Sequence, residues 1–61
     1  MKKDYIEREL KGLGIGKTRV IAWECVTRWS ENLFEIGTYG IDYKQMDFDS
    51  TVSKLMREVV A

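Results

Sequence analysis

Apolar residues recur along this chain at more than one spacing, and each spacing predicts its own element. From Asp49 to Val60, Val52, Leu55, Met56 and Val59 fall at i, i+3, i+4 and i+7. That spacing puts them on one face of a helix. Asp49 and Ser50 precede them as N-cap residues, whose side-chain oxygens accept the free N–H groups of a first turn. Ser50, Lys54 and Arg57 point away from the apolar face, with Ser53 at its flank. Residues 2–10 predict a second, shorter helix. Ile6 and Leu10, joined by Tyr5, form a narrow stripe, and Lys3–Glu7, Asp4–Arg8 and Glu7–Lys11 are opposite charges at i,i+4. A helix this short is unstable alone and must dock on the remainder.

Residues 18–33 carry the broadest apolar pattern. Ile21, Ala22, Cys25, Val26, Trp29 and Leu33 share one helical face, opposite Glu24, Arg28 and Glu31. The same stretch also alternates, through Ile21, Trp23, Cys25, Thr27 and Trp29, which is the rival strand reading. Its length and the Glu24–Arg28 spacing favour a helix. Between the first two helices, Gly12, Gly14 and Gly16 predict a turn. Residues 34–48 hold two more glycines and alternate from Ile41. Tyr39, Ile41, Tyr43 and Phe48 fit either a short strand or hairpin, or an ordered loop. The expectation is a single mainly-α domain over residues 1–61. It has three helices, with a short β-strand or ordered loop between the second and third.

Composition narrows the chemistry. A chain of 61 residues buries about 60% of its unfolded surface and is marginally stable. Cys25 is the single cysteine and there is no histidine, so no internal disulfide forms and the commonest zinc ligand is missing. The acids Asp47 and Asp49 read as helix-capping and surface acids rather than a catalytic pair. No catalytic residue, metal or cofactor is expected, and an enzyme is not. No signal peptide and no apolar run of about 20 residues is present, so a cytoplasmic location is expected. Net charge is zero, but residues 1–29 carry seven basic and four acidic side chains, and residues 30–61 carry three and six. The halves are therefore +3 and −3, which can leave a basic stripe or make two subunits attract.

Four stretches bear on function. Gly16-Lys17-Thr18 matches the end of a P-loop, but the glycine needed five places earlier is Lys11. Leu10-Lys11-Gly12-Leu13-Gly14, with Thr18 and Ile21, resembles the hairpin of helix-hairpin-helix proteins, in which backbone N–H groups hold a DNA phosphate. Lys11 and Thr18 stand where that family has Pro and Ala. Thr51-Val52-Ser53-Lys54-Leu55-Met56-Arg57-Glu58-Val59 resembles the T-V-S-R-x-L-R-x-L recognition helix of bacterial and phage helix-turn-helix regulators. Arg19-Val20-Ile21-Ala22-Trp23-Glu24-Cys25-Val26-Thr27-Arg28-Trp29 resembles the supporting helix that precedes it in small phage proteins of that kind.

The helix-turn-helix resemblance implies a small double-stranded-DNA-binding transcriptional regulator with residues 49–60 as recognition helix. Ser50, Thr51, Ser53, Lys54 and Arg57 would enter the major groove, and Lys17, Arg19, Lys2 and Lys3 would hold phosphates. A homodimer would set two such helices about 34 Å apart on a palindrome. The alternative from another class is a phage-type inhibitor or interaction module acting on a host protein. Its contact would be an aromatic patch of Trp23, Phe34, Tyr39 and Tyr43, rimmed by acids.

Overall fold

The computed structural model describes residues 2–38 and 41–60, with Thr38, Val59 and Val60 described by backbone alone. The chain runs α1 (Lys2–Gly12), β1 (Thr18–Ile21), β2 (Glu24–Ser30), β3 (Leu33–Thr38), β4 (Ile41–Met46) and α2 (Phe48–Val60). The strands form one antiparallel sheet in chain order, β1-β2-β3-β4. Both helices pack on the same face of it. Ile6 and Leu10 of α1, Leu13 after it, and Val52 and Leu55 of α2 close over Ile21, Val26, Phe34 and Ile36 of the sheet. These nine buried side chains are the core.

This architecture overturns the expected three-helix domain and with it the helix-turn-helix resemblance. The second helix expected over residues 18–33 is instead two strands and a hairpin turn. Thr18, Val20, Ile21, Val26, Thr27 and Trp29 are β-branched or aromatic, and such side chains suit a pleated, half-buried surface. Glu24 and Arg28, expected as a helical pair, stand at even spacing on the helix-covered side of β2. The turn itself is Ala22-Trp23, with φ of 50° and 70°. Both residues are left-handed, as the usual two-residue hairpin demands, but neither is the Gly or Asn that announces one. The helix-hairpin-helix resemblance fails at the same place. Its glycine turn leads into β1 rather than a second helix.

Residues 34–48 resolve into most of β3, all of β4 and the start of α2. Tyr39 lies outside the described residues. The β3–β4 ladder shifts register between Ile36 and Thr38, and Asp42 there has a φ of 57°.

The terminal helices form where the spacing predicts them. The cap of α2 is Asp47, two residues before the Asp49 and Ser50 expected to open the helix. Its Oδ1 accepts the Ser50 N–H at 2.8 Å, and its carbonyl accepts both the Thr51 N–H and the Thr51 hydroxyl. The Phe48 N–H is taken by Asn32 Oδ1 at 2.9 Å.

Arg28 ties three segments together. Its guanidinium donates to the carbonyls of Leu13 at 3.1 Å, Lys11 at 3.4 Å and Glu31 at 3.2 Å, and its Nε to that of Ser30. It lies 5.6 Å from the Phe34 ring centre. The planar fork satisfies carbonyls at the end of α1 and in the β2–β3 turn at once.

Candidate interaction surface

The sheet has a second face, and the helices do not cover it. Strand register places side chains on this outer face in rows that cross the strands. Val20 pairs with Cys25, and Cys25 with Gly37. The Tyr43 ring lies against Gly37, where a Cβ would collide with it. Together these make an apolar row spanning all four strands. The next row is polar: Thr18, Thr27, Glu35 and Gln45 are register partners in turn. The hydroxyls of Thr18 and Thr27 are 2.7 Å apart. Beyond it, Trp29 turns back and its indole N–H donates to Glu35 Oε1 at 3.0 Å.

Three features mark this face. Val20 is 64% exposed, Tyr43 52% and Trp29 49%. Glu35 is the single charged side chain among those nine positions, in a chain one third of whose residues are charged. At the β1–β2 tip, Trp23 is 81% exposed on its left-handed backbone. Ile41, at the same end of the sheet, is 63% exposed. Ala22 packs against the core, which accounts for its place in the turn. Nothing within the described fold accounts for a tryptophan beside it.

The residues expected to contact DNA are scattered. Thr51 is fully buried, and its hydroxyl is spent on the Asp47 carbonyl. Lys54 turns toward the sheet, its Nζ 3.5 Å from Glu24 Oε2 and 4.0 Å from Glu58 Oε1. Arg19 pairs with Glu9 at 3.0 Å. Ser50, Ser53, Arg57 and Lys17 are exposed, and so are Lys2 and Lys3. Lys17 lies before β1, apart from the exposed residues of α2. Of the expected aromatic patch, Trp23 and Tyr43 are at the surface and Phe34 is buried in the core. Sequence reasoning missed Val20 and Gly37. Its rival strand reading carried part of the signal, since Cys25, Thr27 and Trp29 do share a face. It placed Ile21 on that face because it did not see the turn that shifts the phase.

Electrostatics add one defined feature near α2. The Ser50 backbone N–H, and then its hydroxyl, hold the Asp47 carboxyl below its ordinary value of 3.8. This is a capping effect. Among the described residues there is no cavity and no group of three or more metal-ligating His, Cys, Asp or Glu side chains. No helix among them is long and apolar enough to cross a membrane. The chain matches no protein-family model, and no curated protein or solved structure is significantly similar to it.

Proposed function

We propose that this protein works as a protein-interaction module and that the outer face of its sheet, with Trp23 at the tip, is the binding surface. The observation that carries this reading is the composition of that face. Its rows hold exposed aromatic and aliphatic side chains and one carboxylate. Depletion of charge together with enrichment in Trp and Tyr is what marks the centre of a protein interface. The polar row through Thr18, Thr27, Glu35 and Gln45 supplies hydrogen-bonding groups that fix the orientation of a partner.

The same composition speaks against nucleic acid on this face. Single-stranded nucleic acid stacks on aromatic side chains but also needs cations along its backbone, and the rows contain none. Recognition of duplex DNA by α2 is the weaker reading. Two of the five groups it needs are engaged inside the fold, and the chain has no net positive charge. The expected dimer fits the outer face better than the helical layer, whose exposed side chains are largely charged.

A titration of labelled random duplex DNA by fluorescence anisotropy, at low and at moderate salt, separates the two classes. The expected result is no salt-dependent binding. Binding that falls steeply with salt and is lost in Arg57→Ala would replace the interaction module with a DNA-binding protein.

A further inference from the structure

We propose that the partner on the outer face is a second copy of this chain, stacked sheet against sheet about a two-fold axis parallel to the strands. This inference rests on the reading of that face as a protein-binding surface.

Charge is the first ground. Glu35 is the one charge among the nine outer-face positions, and the charged residues of β1 and β2, Arg19, Glu24 and Arg28, lie on the helix-covered side. A two-fold axis along the strands, between β2 and β3, lays β1 of one copy over β4 of the other. Glu35, on β3, comes to lie over β2 of the other copy at the level of Thr27, a hydroxyl that can donate to it. The like-charge contact that another axis would risk is avoided.

Shape is the second ground. The apolar row is low on the β1–β2 side, at Val20 and Cys25, and high on the β3–β4 side, where the Tyr43 ring covers Gly37. The same axis sets the high side of each copy on the low side of the other, at the roughly 10 Å spacing of stacked sheets. Area agrees with both. Trp23, Trp29 and Tyr43 at their observed exposures offer about 350 Å². A stable interface needs about 800 Å² per partner. The aromatic side chains alone approach half of that.

Sedimentation equilibrium on the full chain, from micromolar to near-millimolar concentration, is the test. The expected result is a monomer–dimer equilibrium whose dissociation constant rises roughly 30-fold or more in Val20→Lys. Val20 is outside the core, and circular dichroism checks that the variant folds. Ser53→Lys, in the helical layer, is expected to leave the equilibrium unchanged. Adding Tyr43→Glu to Val20→Lys is expected to restore the dimer, because the two new charges then face each other between copies.

A monomer at every concentration overturns the inference, and leaves a heterologous protein as the partner of the face. A dimer indifferent to Val20→Lys overturns it as well. A dimer broken by Val20→Lys and not restored by the second substitution overturns the arrangement of β1 over β4.

Discussion

The Lys54 ammonium lies 3.5 Å from the Glu24 carboxylate and joins α2 to the first residue of β2. Glu24 is 2% exposed, so the pair stands at the margin of the core. Removing the cation takes one counter-charge from a buried carboxylate. Lys54→Met is expected to cost about 2 kcal/mol, below the full value for a buried pair because Lys54 itself is partly solvated. Combining it with Glu24→Met should recover most of that loss. Urea unfolding of the two single variants and the double variant measures the coupling.

Arg28 should tolerate no conservative replacement. Lysine keeps the charge but cannot reach the carbonyls of Lys11, Leu13 and Glu31 together. Arg28→Lys is expected to lose about 1–3 kcal/mol of stability, the range for leaving partly buried polar groups unsatisfied. Earlier amide exchange at the end of α1 and in the β2–β3 turn would show that the loss is local in origin.

Trp23 gives the opposite sign. Glycine adopts a φ of 70° without the steric cost that an L side chain meets there. Trp23→Gly is therefore expected to raise the stability of the isolated chain by about 0.5–1 kcal/mol, a gain partly offset by glycine's larger unfolded-state entropy. Thermal unfolding of the dilute monomer reads it directly. A loss of stability would mean that the ring packs on the fold.

How much of this was legible in the sequence depended on where each contact lies. Both terminal helices were, because Ile6 and Leu10, and Val52 and Leu55, each form a stripe that one helix satisfies by itself. The middle of the chain was not. Glu24 and Arg28 are four residues apart, a spacing that suits neighbours on a helix and equally two positions on one face of a strand. The partners that decide between these, Lys54 for Glu24 and the carbonyls near the end of α1 for Arg28, are distant in sequence. Ala22-Trp23 hid the hairpin because its turn uses neither Gly nor Asn. The candidate surface was half legible for a similar reason. Trp23 and Tyr43 stand out as aromatic residues, whereas Val20 and Gly37 gain their meaning only from strand register.

Acid should weaken α2 from its N-terminus. The folded state holds the Asp47 carboxyl below its ordinary value through the Ser50 N–H. The sign follows from linkage. The stabilisation is fully present above about pH 4, the unfolded value, and is lost as pH falls through the lower folded value. Asp47→Asn keeps a capping oxygen and is expected to remove that part of the acid sensitivity, whereas Asp47→Ala lowers stability at neutral pH too. Unfolding curves from pH 7 down to pH 2 distinguish them.

The most direct test of the outer face as the binding surface is photo-crosslinking in cells from a benzophenone side chain placed at Val20 or at Ser53. The expected result is protein adducts from position 20, copies of this chain among them, with few from position 53. Adducts forming mainly from position 53, whether to protein or to nucleic acid, would contradict it and return the function to the exposed surface of α2.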